Sequence, residues 1–218
     1  MIFRVPGQLE KDGTPHYVTA DEYLSGNVRR KLRQAQRAAQ QDPSFAVNVE
    51  ALTAAQPKDL DASEIEVRLG ATWIDKEYIQ QLMYETFDTP FYLQRNIEVN
   101  YSSFTAEWQI TGKSSVSQNN VAAYTTYGTS RANAYKILED SLNLRDVRIY
   151  DTIEDADGKE RRVLNAKETT LAAQKQQAIR DAFKDWIWKD PDRRQALVRQ
   201  YNEEMNSTRP REYDGGHI

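Results

Sequence analysis

The chain has 218 residues, enough for one large domain or two small ones, and it contains no cysteine. A core is within reach without disulfides or metals, and disulfide scaffolds, thiolate metal sites and cysteine nucleophiles are excluded. The formal net charge of -4 excludes the basic footprint of a dedicated nucleic-acid binder and leaves room only for local DNA contacts.

Hydrophobic residues make up 39% of the chain and recur at helical or strand spacing in nearly every segment, which argues against disorder. No apolar run approaches the roughly 20 residues that span a bilayer, and nothing near Met1 reads as a signal peptide. The expectation is a cytoplasmic protein without a membrane partner.

The opening stretch, MIFRVPGQLEKDGTPHYVTADEYL, reads as an extended lead-in with turns at Pro6-Gly7 and Asp12-Gly13. Thr19 and Glu22 have the spacing of a capping box at a helix start. Gly26 interrupts that helix and Asn27 can cap a second one running to about Gln41. In this helix Val28, Leu32, Ala35 and Ala39 share one stripe, with Arg29, Arg30, Arg33 and Arg37 opposite. Asp42-Pro43 places a cap before proline at the first helical position and starts a further helix closed by Pro57. Ser63 and Glu66 make another capping box in DASEIEVRLG, and DKEYIQQLMYETF continues with Tyr78, Ile79, Leu82, Met83 and Phe87 on an apolar face.

After Pro90 the period changes to two. IEVNY and FTAEWQITG predict an antiparallel hairpin presenting Ile97, Val99, Trp108 and Ile110. A polar loop leads to Thr129 or Ser130, either placed to cap a helix over RANAYKILEDSLN. DVRIYDTIE and KERRVLNAK flank Asp155-Ala156-Asp157-Gly158, a second hairpin. Two helices follow. LAAQKQQAIRDAFKDWIW gathers Leu171, Ala178, Ile179, Ala182, Phe183 and Trp186, and Asp190-Pro191 caps a last helix with Leu197, Val198, Tyr201 and Met205 inward. The expected fold class is α+β, mostly helical, with two antiparallel β-hairpins or small sheets packed against helices. Residues 1–90 read as a helical part and 91–218 as an α+β part, one continuous domain being the other reading.

Signals of chemistry are sparse. His16 and His217 are the only histidines and stand at opposite ends in turn-rich sequence, so neither a catalytic residue nor a metal ligand is assigned. Gly112-Lys113-Ser114 shares the last letters of a phosphate loop but lacks the upstream glycine, and reads as a loop after a strand. Residues 59–112 have the element order of a winged helix. The would-be recognition helix, however, sets Asp75, Glu77 and Glu85 against Lys76 alone, and phosphates would repel it. Trp73, Trp108, Trp186 and Trp188 read as core or interface anchors.

NVRRKLRQAQR carries two readings: a solvated helix face, or a phosphate-tracking stripe with arginines aligned in steps of about 6 Å. Arg29, Arg30, Arg33 and Arg37 are the candidate nucleic-acid contacts, with Arg209 and Arg211 as a weaker second cluster.

The phrases YVTADEYLSGNVRRKL, FAVNVEAL, PKDLDASEIEVRLGATWI, YGTSRANAYKILEDSLNL and STRPREYDGGHI together resemble a region of very large bacterial proteins carried by mobile genetic elements. In that family a DNA-methyltransferase-like part precedes a Swi/Snf-type superfamily-2 helicase core. The resemblance implies that the chain is a segment of a larger protein, with Met1 internal and the arginine-proline phrase leading toward a motor beyond Ile218. It implies a noncatalytic accessory domain that guides DNA or regulates that motor, with the adjacent helicase and methylase-like domains as partners and DNA as a candidate partner. ATP and Mg²⁺ would belong to the motor, and no cofactor is expected in these residues. The competing reading is a protein-interaction scaffold that docks motor to methylase without touching DNA.

Overall fold

A computed structural model describes residues 1–212 of the chain. The hairpin strands β1 (Ile2–Leu9) and β2 (Pro15–Thr19) lead through the short helix α1 (Ala20–Tyr23) and β3 (Gly26–Asn27) into helices α2 (Val28–Gln41) and α3 (Ala46–Ala54). Helix α4 (Lys76–Thr86) comes next, then β4 (Val99–Ser102), β5 (Glu107–Ile110) and helix α5 (Ala134–Leu142). Strands β6 (Tyr150–Glu154) and β7 (Glu160–Leu164), helices α6 (Ala166–Ile187) and α7 (Pro191–Glu204), and β8 (Thr208–Arg209) complete the order. The fold is α+β: helices take 45% against 17% in strands, and the strands form four two-stranded antiparallel sheets among the described residues.

Two compact units are distinguished: Met1–Ile65 together with the segment from Gln195 onward, and Glu66–Arg194. The division expected from sequence, 1–90 and 91–218, runs elsewhere. Composition could not reveal it, because the C-terminal helix and strand belong with the N-terminal elements through long-range pairing.

In the first unit, β1 pairs with β2 in the register Phe3↔Val18, and Phe3 stacks on Tyr23 with ring centroids 4.9 Å apart. Val28, Ala35 and Leu52 complete that core. Buried Asn48 donates to the Arg4 carbonyl and the Tyr23 hydroxyl, 2.8 Å each, so a polar group is accommodated without an orphan donor. Asn202 on α7 bonds both sides of one backbone residue, donating to the Leu60 carbonyl at 2.8 Å and accepting from its amide at 2.9 Å. β8 pairs with β3, Gly26 opposite Arg209 and Asn27 opposite Thr208.

The second unit contains both expected hairpins. In β4–β5, Val99 pairs with Ile110 and Tyr101 with Trp108, and Ile97, Val99, Trp108 and Ile110 are buried, as their alternation predicts. They join Ile79, Leu82 and Met83 of α4, while Tyr135 of α5 meets Phe87 edge-on at 5.3 Å and shares a 2.6 Å hydrogen bond with Thr89. The β6–β7 hairpin turns at Asp155, whose carboxylate accepts the Asp157 and Lys159 amides, with Gly158 at φ +74°.

Several local expectations are corrected. The lead-in is extended and turns at Asp12-Gly13 as expected, and its two arms pair as the hairpin β1–β2, which was not assigned from the sequence. Thr19 makes no side-chain cap. Residues 61–70 form no helix: Asp61 accepts the amides of Ser63 and Glu64 in a turn of its own, and Glu64 returns a bond to the Asp61 amide. With one helix in place of two, the winged-helix order is not formed. Asn133, not Thr129 or Ser130, caps α5 by accepting the Lys136 amide. Met205 is exposed because α7 ends at Glu204 and the helical period stops before reaching it.

Candidate nucleic-acid interface

Asn27 starts α2 by accepting the Arg30 amide at 2.9 Å, which satisfies one of the free amides of the first turn. Val28 and Ala35 are fully buried and Leu32 and Ala39 half-buried, so the apolar stripe turns inward as the period requires.

The four arginines opposite do not share one environment. Arg29 is largely enclosed, its side chain 12% exposed. It donates to the Asn206 carbonyl at 2.9 Å and the Pro57 carbonyl at 3.4 Å and pairs with Asp59. It is a tie within the unit, contrary to the expectation that all four stand in solvent. Arg33 is exposed but paired with Glu203. Arg30 and Arg37 are exposed, and among the described residues no carboxylate pairs with either. Seven residues apart, they sit about 10 Å from one another along the helix axis. Lys31, in the same run, is also spent internally: its ammonium donates to the carbonyls of Glu22, Tyr23 and Ser25, and burial pushes its pKa down.

The second cluster is neutralised locally. Arg209 pairs with Glu212 at 3.2 Å, and Arg211 binds Asp21 at 2.6 Å with Glu22 at 3.9 Å. His217 lies outside the described residues. His16 contacts Glu10 at the exposed rim of the β1–β2 hairpin. Lys113, in the phosphate-loop-like triplet, is held by the Ile110 carbonyl and by Glu139 at 2.6 Å, which fits the plain loop reading.

The second unit holds a basic groove of about 450 Å³. Its walls are the approach to α5 and its first turn, with Arg131 and Lys136; the segment between α5 and β6, with Arg145 and Arg148; and the β6–β7 hairpin, with Tyr150 at its base and Arg162 at mid-strand. Asp140 and Asp146 are its acidic lining. Arg131 donates to Asp151 and to the Tyr150 carbonyl, 2.8 Å each, which fastens the hairpin base to the start of α5. The same guanidinium, with Asn165, holds the Asp151 carboxyl below its ordinary range. Lys136 pairs with Asp140 and Arg145 with Glu107. Arg162 lies over the Tyr150 ring at 4.6 Å, and among the described residues no carboxylate pairs with Arg148 or Arg162.

A family model described as a domain of unknown function, DUF8437, matches residues 68–207, well over half of the chain. The chain belongs to the DUF8437 family. No curated protein and no solved structure matches it. The DUF8437 match takes in the basic groove and leaves out α2 with its arginines. Sequence reading did not single the groove out, because its cations come from three segments between positions 131 and 162, each with one or two charges. A hint lies in KERRVLNAK, where basic residues fall on a strand rather than a helix face. Among the described residues of this DUF8437 chain, no group of three or more His, Cys, Asp or Glu side chains could hold a metal ion, and no helix is long and apolar enough to cross a membrane.

Proposed function

We propose that the chain is a noncatalytic accessory module that guides DNA for an adjacent ATP-driven motor, the role implied by its resemblance to the region preceding Swi/Snf-type helicase cores. The observation that carries this reading is the α2 face, where Arg30 and Arg37 are exposed with no carboxylate partner among the described residues on a helix fixed by its Asn27 cap. Paired arginines have already exchanged their charge for a carboxylate, whereas these two keep theirs for phosphate oxygens. Their small number fits modest, electrostatic binding without base readout, which suits a motor that must pass over every sequence. The cytoplasm is the compartment this role requires.

The chain is expected neither to hydrolyse ATP nor to show DNA-stimulated ATPase activity, since the phosphate loop and Mg²⁺ ligands of such a motor are not in its sequence. Turnover of ATP by the purified chain would overturn the noncatalytic reading. The DNA reading is tested by R30E/R37E in fluorescence anisotropy with labelled oligonucleotides. Binding should weaken to a similar degree on unrelated sequences, while unchanged binding removes α2 as the interface.

A second reading, a scaffold that docks the motor to a methylase-like part, is favoured by exposed aromatic residues. Phe91 and Tyr92 follow Pro90 at 84% and 77% exposure, and Phe104 at the β4–β5 turn is 98% exposed. Aromatic side chains of this kind anchor protein interfaces.

A further inference from the structure

We propose that the groove between α5 and the β6–β7 hairpin is a second binding site, which takes phosphate groups and, in this protein, the sugar-phosphate backbone of nucleic acid. The proposal rests on the functional reading above only for the source of the phosphates.

Five cations line it against two carboxylates. Counting Asp151 and Glu107, the outside partners of Arg131 and Arg145, still leaves one positive charge in excess. Arg148 and Arg162 are the unpaired cations, and Asp146 offsets one of their two charges. Both are exposed at the groove wall without a carboxylate partner among the described residues.

Arg162 is also pre-oriented. Its guanidinium rests on the Tyr150 ring, which fixes the plane of the donors without using up their charge. Tyr150 is itself held, since its carbonyl accepts from Arg131. The paired cations thus brace the wall, while the unpaired ones line it exposed to solvent. Guanidinium groups gathered in a concavity repel one another, and their field is focused there rather than spread as on a convex helix face. An anion in the groove relieves that repulsion. A phosphate offers several oxygens to the forked donors of arginine, a geometry that a single chloride cannot match.

The groove lies within residues 68–207, the segment that the DUF8437 model matches, whereas the α2 arginines lie outside it. A strand of phosphates would engage Arg148 before β6 and Arg162 on β7 together. In register, Arg162 faces Thr152, four positions beyond Arg148.

The test uses the whole chain and a labelled mixed-sequence oligonucleotide, comparing R148E/R162E with R30E/R37E. Reversal in the groove should weaken binding about tenfold or more at low salt and lower the salt slope by about two. R148Q/R162Q, which removes charge without adding repulsion, should weaken it in the same direction, and it decides the matter if the glutamate variant does not fold. Parent-like binding by folded R148E/R162E, or by the glutamine variant in its place, overturns the groove whatever R30E/R37E does. If only the groove variants lose affinity, the groove stands and the α2 reading falls. A parent chain that binds no oligonucleotide overturns the nucleic-acid source, and inorganic pyrophosphate then asks about the groove alone. Pyrophosphate binding abolished by R148Q/R162Q keeps it as a small-phosphate site, while no pyrophosphate binding removes it.

Discussion

Single residues in this chain show how the same side chain serves structure in one place and stays available in another. Arg29 and Arg30 are neighbours on α2, yet one binds two backbone carbonyls and Asp59 and the other faces solvent. Arg29→Ala is therefore expected to destabilise by about 1–3 kcal/mol, because partly buried carbonyls lose a charged donor, while Arg30→Ala stays within about 0.5 kcal/mol. Urea unfolding of both variants checks the contrast. Asn202→Ala should cost about 1–3 kcal/mol by the same logic, since it strands both the amide and the carbonyl of Leu60. Asp42 supplies a pH signature. The Ser44 hydrogen bonds and then the Arg4 guanidinium hold its carboxyl down at about 2, from a usual 3.8. A depressed folded pKa gives stability that is present above the unfolded value and lost as pH falls through the folded one. Asp42→Asn should therefore lower stability at neutral pH and shrink the loss of stability between about pH 4 and 2. Identical acid limbs in parent and variant would contradict the assignment.

At the scale of elements, caps with proline or a lone asparagine were legible and apparent capping boxes were not. Asn27, Asp42-Pro43 and Asp190-Pro191 start helices where their sequences say they should, because proline at the first turn leaves the backbone few alternatives. Ser63 and Glu66 have suitable spacing, but Asp61 two positions earlier takes the Ser63 amide first and the chain turns instead. Short polar side chains serve turns and caps with the same hydrogen bonds, so spacing alone cannot separate them. The β4–β5 hairpin was readable from its alternation, whereas β1–β2 was hidden by its polar residues and by a register shift between Arg4 and Leu9. The end of β5 depends on Gly112, which sits at φ +63° with a Cβ position 2.2 Å from the Asn96 carbonyl oxygen. Gly112→Ala must displace backbone in a left-handed conformation and should lower the thermal midpoint clearly, with the near-ultraviolet signal of Trp108 altered. An unchanged midpoint would mean that the loop yields freely.

For the whole molecule, the α+β class was legible, but the grouping of elements was not. α7 and β8 stand at the end of the sequence yet complete the unit that begins with β1, through Asn202 with Leu60 and Arg209 with Gly26. Pairings across so many residues leave no trace in composition or local period. The candidate site divides in the same way. The α2 face could be read from helical spacing, though the loss of Arg29 and Arg33 to internal partners could not, and the groove depends on tertiary placement entirely. Both surfaces support the proposal that this member of the DUF8437 family meets nucleic acid through phosphates and without base readout. The salt dependence of DNA binding by the whole chain tests it most directly. Log affinity is expected to fall linearly with log salt, with a slope of about -2 to -4 that is the same on unrelated sequences. No binding at low salt, or a preference of orders of magnitude for one sequence, would contradict it.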